Sequence, residues 1–172
     1  FASTLNRSCY WQDINYYDKT LATWATEEHL IRVNYLLQAL TIPGSSLQND
    51  SKLSNLTHCA LNVWLVRDFQ NPNWWFNQIG IPLLITSQLL MLGDNATAFE
   101  TQKIVEISYR SDWWSHDPGT GANLVWMLQI ELYRSLATNN KTGITESIDR
   151  MWRDVTVLDL GGQGIQTDWS YH

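Results

Sequence analysis

Apolar residues recur at intervals of three and four through most of this 172-residue chain, and that spacing restricts it to packed amphipathic helices. From Thr26 to Leu40 the series is Leu30, Val33, Leu37 and Leu40, with Thr26 standing before a Glu27-Glu28 first turn. Lys52 to Phe69 repeats the pattern through Leu53, Leu56, Ala60, Val63 and Trp64. Ile81 to Leu92 predicts a third helix, with Pro82 accommodated in its first turn and Gly93-Asp94-Asn95 ending it. Further helices are expected from Thr97 to about Tyr109, Ala122 to Ala137 and Ile144 to about Val155, while the glycines of Asp159–Thr167 mark a loop. No segment alternates in polarity long enough to make a strand. The expected fold class is all-α, built from antiparallel helical hairpins with short connections.

Two longer irregular stretches, Gln70–Gln78 and Ser111–Gly121, hold the pairs Trp74-Trp75 and Trp113-Trp114. Neighbouring helix residues point about 100° apart, so both members of a pair seldom enter one core. Ten tryptophans exceed ordinary usage, and these four rings are expected to divide between core and ligand surface. Sugar C–H faces pack on flat rings, and the indole N–H can meet a hydroxyl.

Charge and composition narrow the function classes. The net charge is −6 with no Lys/Arg cluster, which argues against a nucleic-acid partner. The longest apolar stretch, Ile79 to Leu92, is interrupted by Gly80, Pro82 and Thr86-Ser87-Gln88, so no membrane span is expected. Cys9 and Cys59 are compatible with one disulfide or with two buried thiols, and they do not have metal-site spacing. Five sequons begin at Asn6, Asn49, Asn55, Asn95 and Asn140. Chance would give about two. The excess points to export through a glycosylating pathway, the alternative being a bacterial chain with accidental sequons, for which the expected location is secreted or periplasmic. Phe1 shows no signal-peptide character and His172 closes an aromatic-rich segment, so the chain is expected to be a mature or excised piece.

Four segments carry candidate chemistry. Asn71 to Gly80 combines three aromatics, three asparagines and a glutamine, suited to a sugar platform with amide donors or to a loop whose amides cap backbone groups. Thr120-Gly121-Ala122-Asn123 places an amide at the start of an apolar helix, where a capping role competes with a functional one. Gly164 to His172 holds Asp168 and a terminal His172 capable of base chemistry. Ser111 to Pro118 holds Asp112, His116 and Asp117, too few converging ligands for a metal.

Asn73-Trp74-Trp75 followed by Gln78-Ile79-Gly80-Ile81-Pro82, then Thr120-Gly121-Ala122-Asn123, then Gly164-Ile165-Gln166-Thr167-Asp168-Trp169-Ser170-Tyr171, resemble polysaccharide lyase family 8. Trp11-x-Asp13-Ile14 and His29-Leu30-x-Arg32 also fit, and the resemblance covers about residues 10 to 172. It implies an incomplete α/α toroid within a single helical lyase domain, the remaining helices and β-sandwich domains lying elsewhere in the parent chain. It implies β-elimination on a uronic-acid-containing polysaccharide such as chondroitin or hyaluronan. An asparagine that maps onto Asn123 serves as the catalytic amide facing the uronate carboxylate, and Asn73, Trp74 and Trp75 map onto the substrate-binding patch. Neither cofactor nor metal is implied. The expected partners are the acidic polysaccharide and the remainder of the parent chain.

The family pattern after Asp168 places the catalytic histidine two positions beyond His172, and its tyrosine further on, so this chain alone is expected to be inactive. Two rival readings remain. A glycoside hydrolase on a similar toroid needs two positioned carboxylates, for which Asp117, Glu131 and Asp168 are candidates. A non-catalytic glycan-binding module would need only the aromatic surface.

Overall fold

The computed structural model describes residues 1–114, 121–155 and 165–170. Six α-helices follow in order: α1 (Glu28–Thr41), α2 (Ser51–Arg67), α3 (Ile81–Leu92), α4 (Ala98–Ser108), α5 (Ala122–Ala137) and α6 (Lys141–Val155). No strand occurs among the described residues, so the all-α expectation holds. The expected Asp159–Thr167 loop lies largely outside them.

Local chemistry sets most boundaries. Asp50 accepts the Leu53 N–H at 2.8 Å and starts α2, which ends at Asp68 in the left-handed region. Thr97 and Glu100 form a reciprocal capping box at α4. Thr26 behaves otherwise than expected. It is buried in a single 3₁₀ turn, Ala25–Glu27, ahead of α1, and its hydroxyl donates to the Asn15 carbonyl rather than capping the helix.

The third helix keeps its expected bounds, Ile81–Leu92, with Pro82 at its second position and Gly93–Asn95 after it, but the helical run it belongs to starts earlier than expected. Helical backbone begins at Trp74, and a π-turn spans Phe76–Gly80 before α3. Pro82 is therefore in the first turn of α3, as expected, yet well inside the longer helical run. Proline has no N–H to give the Gln78 carbonyl and its ring would collide with that oxygen in a regular helix. Widening the turn relieves both problems, and the Ile81 N–H bonds back five residues to Phe76. The freed Gln78 carbonyl accepts the Ser111 hydroxyl. Phe76–Asn95 is consequently long and apolar enough to cross a bilayer by length and composition, where Ile79–Leu92 alone led to the expectation of no span. In this fold it packs against α1, α4 and α5 as a core helix.

The core gathers Trp11, Trp24, Leu30, Leu37, Trp64 and Ile85 from the N-terminal segment and α1–α3. Cys9 and Cys59 form a disulfide, which ties that segment to α2 and resolves the alternative left open above. His29 is fully buried in this core. Its Nδ1 meets the Tyr16 hydroxyl at 2.8 Å and its Nε2 meets the Ala60 carbonyl at 2.9 Å. The carbonyl requires an Nε2–H donor, so Nδ1 accepts from Tyr16. Burial pushes the imidazole down to about 4, against 6.5 when free. A depressed imidazole stabilises fully above the unfolded value and loses that contribution as pH falls toward the folded one. The loss amounts to on the order of 3 kcal/mol. The thermal midpoint is therefore expected to fall between about pH 6.5 and 4, and His29→Gln should flatten part of that slope. An equal slope in both proteins would remove His29 as a cause.

α1 packs on α2, α3 on α4 and α5 on α6 across short turns, so each of these pairs runs antiparallel. The α2–α3 and α4–α5 connections lie at one end of the stack. The α1–α2 and α3–α4 turns lie at the other, where Leu40, Thr41, Asn49, Ser51, Leu92 and Asn95 border a cavity of about 450 Å³.

Candidate functional site

At the first of these ends, Asn73 organises the start of the third helical run. Its Oδ1 accepts the Trp75 N–H at 3.0 Å, as a capping residue does, and its Nδ2 donates to the Leu21 carbonyl at 2.8 Å. Asn71 accepts the Asn73 N–H at 2.8 Å and donates to the Thr20 carbonyl at 3.0 Å. Asn71 and Asn77 exchange a further pair of bonds at 2.9 and 2.7 Å. These amides knit the loop to residues 20–21, so capping accounts for what they do in this structure. The Trp pair they hold lies on the first helical turn instead of in a loop.

The two rings then diverge, as adjacent helix positions must. Trp74 is 49% exposed. Trp75 is partly buried, edge-on to Phe76 at 5.4 Å and to Trp126 of α5 at 5.8 Å. The Trp75 ring also lies over Gly80 of its own helical run. A Cβ added to Gly80 would stand 2.7 Å from Trp75 Cζ3, so only glycine fits beneath that ring. Gly80→Ala is expected to displace the Trp75 indole, change the near-ultraviolet circular dichroism and cost about 1–3 kcal/mol through overpacking. An unaltered aromatic spectrum would contradict this packing.

Asn123 is the second residue of α5 and half-buried. Gly121 occupies the cap position at φ 72°, a conformation that favours glycine, and contributes no side chain. Asn123 is therefore not the cap that the sequence allowed. Its amide makes no hydrogen bond among the described residues. Trp126 follows it by one turn on the same side of α5, and Trp126 touches Trp75. The fold thus brings Asn123 and the Trp74-Trp75 turn to one end of the molecule, bridged by Trp126. The sequence reading missed Trp126 as a member of this site, and included Gly80 in the candidate segment without its packing role beneath Trp75. The three-residue spacing from Asn123 and the glycine five residues after Trp75 were the available signals.

The second Trp pair is beside this region. Ser111 bonds to Gln78, Arg110 and Asp68 form a bidentate ion pair between the ends of α4 and α2, and Trp113 stacks on Trp114 at 4.0 Å. Thr120, His116, Asp117, Tyr171 and His172 fall outside the described residues.

The carboxylates proposed for hydrolysis are differently placed. Glu131 is buried in an ion pair with Arg134 and also accepts the Ser135 hydroxyl at 2.7 Å. The Asp168 carboxylate accepts the Ser170 N–H at 3.0 Å and hydroxyl at 2.7 Å, as in an Asx turn. Among the described residues no group of three or more His, Cys, Asp or Glu could hold a metal.

Comparison with known proteins gives this geometry its context. Residues 2–172 match the N terminal alpha-helical domain of polysaccharide lyase family 8. The chain is 23% identical over 169 residues to the chondroitinase-AC of Pedobacter heparinus, covering 98% of this chain and 24% of that protein. A solved chondroitinase AC lyase superposes with a TM-score of 0.84 at 24% identity, over 98% of this chain and 25% of that one. The Streptomyces coelicolor A3 chondroitin AC lyase in complex with chondroitin sulphate gives 0.81 at 17%, over 99% and 24%. The Paenibacillus xanthan lyase gives 0.75 at 19%, over 99% and 18%. This chain spans about a quarter of the length of the chondroitinase AC relatives it matches.

Proposed function

The chain belongs to polysaccharide lyase family 8, and from that membership we propose that it is the first part of the helical catalytic domain of a secreted lyase that cleaves a uronic-acid-containing glycosaminoglycan such as chondroitin or hyaluronan by β-elimination. One observation carries the placement of the reaction. An asparagine amide without a hydrogen-bond partner among the described residues shares one end of the fold with an exposed tryptophan turn.

The chemistry needs such an amide. The uronate C5 proton is weakly acidic because its neighbouring carboxylate is already negative. As the proton leaves, charge builds on the carboxylate oxygens, and a positioned N–H donor stabilises it. The C5–H electron pair forms the C4–C5 double bond and the C4–O bond to the leaving sugar breaks. Asn123 Nδ2 is the donor in this proposal. The base and the acid are the histidine and tyrosine of the family pattern, supplied by the remainder of the parent chain together with its further helices and β-sandwich domains. Trp74, with Trp75 beside it, supports the sugar rings. Asn73 contributes as a positioning residue, since its amide holds the turn that presents both rings.

The Cys9–Cys59 disulfide supports an extracellular or periplasmic location, where such bonds persist. The ion-paired Glu131 disfavours the hydrolase reading. Product analysis separates the classes. The full-length chain acting on chondroitin or hyaluronan is expected to release unsaturated uronides, and the 172-residue chain alone is expected to release none. Saturated reducing ends would indicate hydrolysis, and binding without cleavage by the full-length chain would indicate a glycan-binding module.

A further inference from the structure

The five sequons are not scattered over the fold. Asn49 lies in the α1–α2 turn, Asn55 in the second turn of α2, Asn95 in the α3–α4 turn and Asn140 in the α5–α6 turn. All four are exposed. Asn49, Asn55 and Asn95 lie at or near the end of the stack opposite Trp74 and Trp75, and Asn140 follows the far end of the helix that Asn123 begins. The asparagines at the Trp end behave in the reverse way. Asn71, Asn73, Asn77 and Asn123 are each followed by a residue other than Ser or Thr at the second position, so none is a sequon. Helices of 12 to 17 residues separate the two ends, roughly 18–26 Å at 1.5 Å per residue. Random acquisition of sequons has no reason to respect that division. A bulky polar glycan tolerated only away from a polysaccharide cleft has one.

We infer that Asn49, Asn55, Asn95 and Asn140 are N-glycan attachment sites, which keeps their sugars away from the Trp74, Trp75 and Asn123 end. The donor is a lipid-pyrophosphate-linked oligosaccharide. The asparagine amide nitrogen attacks C1 of its reducing-end sugar, the C1–O bond to pyrophosphate breaks, the N–C1 bond forms, and the amide proton is lost to solvent as the lipid pyrophosphate departs. The transfer precedes folding, so the burial of Thr57, the hydroxyl residue of the Asn55 sequon, is no obstacle. Asn6 stands apart. It lies in the N-terminal segment, outside the helices and their turns, and is half-buried.

The test uses the full-length chain isolated from its own source. Peptide-N-glycosidase F in ¹⁸O-labelled water converts each glycan-bearing asparagine to a labelled aspartate, which peptide mass spectrometry locates. The expected result is label at two or more of the four positions and at none of Asn71, Asn73, Asn77 or Asn123. Label at fewer than two of the four, or at any asparagine of the Trp end, overturns the inference. Neither result depends on whether the enzyme is a lyase.

Discussion

Asn123→Ala in the full-length parent is expected to lower the elimination rate on the order of 100–1,000-fold, the usual cost of one positioned donor to a developing negative charge. The thermal midpoint should barely move. That pairing of outcomes follows from the structure, because Gly121 rather than Asn123 occupies the α5 cap and the Asn123 amide has no described partner to lose. A true cap would cost about 0.5–2 kcal/mol of stability and leave the rate of the folded enzyme nearly intact. Trp74→Ala should differ again. The ring supports bound substrate and transition state alike, so its loss should raise KM more than it lowers kcat. Measuring midpoint and turnover on the same Asn123→Ala protein decides the matter. A lowered midpoint with intact turnover would take Asn123 out of the reaction.

Glu131→Gln should unfold the domain more readily while sparing the chemistry. The substitution keeps the shape of the side chain but removes the charge that neutralises Arg134, and both side chains are almost wholly buried. Leaving a buried cation unpaired costs about 3–5 kcal/mol. Arg134 has a second favourable contact, its guanidinium lying 4.0 Å from the centre of the Tyr109 ring, which lessens the penalty without replacing the carboxylate. Chemical denaturation is expected to show a reduced midpoint, and turnover per folded molecule should stay within a few-fold of the parent. If Glu131 were the acid of a hydrolase, the pattern would invert, with activity lost and stability kept.

The helices α1 to α5 were legible because each buries apolar residues spaced at three and four, a pattern that survives without knowledge of neighbours. α6 showed the same spacing but buries Gly143, Ser147 and Asp154 and leaves Ile148 and Trp152 exposed. Leu53, Ala60 and Trp64 announce α2, and Leu124, Met127 and Leu128 announce α5, as directly as any contact does. The start of the third helical run was hidden for a physical reason. Asn71, Pro72 and Asn73 read as a loop and Pro82 reads as a helix start, whereas Asn73 is the cap and Pro82 is absorbed by a π-turn that depends on a hydroxyl donor, Ser111, from a distant segment. Such long-range compensation leaves no local trace. The Cys9–Cys59 bond was equally open, since two cysteines 50 residues apart carry no sign of proximity until the N-terminal segment is laid against α2.

For the site, residue types and motif order were readable and the assembly was not. Asn123 and the Trp74-Trp75 pair stood out for their chemistry, but nothing in the spacing showed that α5 would rest Trp126 against Trp75. Asn73 was read for its amide. That amide is committed to Leu21 and Trp75, a use that only the folded backbone of residues 20–21 makes possible.

The most direct test of the central claim is a structure of the full-length chain, made slow by Asn123→Gln or by replacement of its base, with a chondroitin or hyaluronan oligosaccharide bound. The expected result has a uronate carboxylate within about 2.7–3.2 Å of the residue-123 amide and a neighbouring sugar against Trp74 or Trp75. An oligosaccharide bound away from the α2–α3 and α4–α5 connections, with residue 123 untouched, would contradict it.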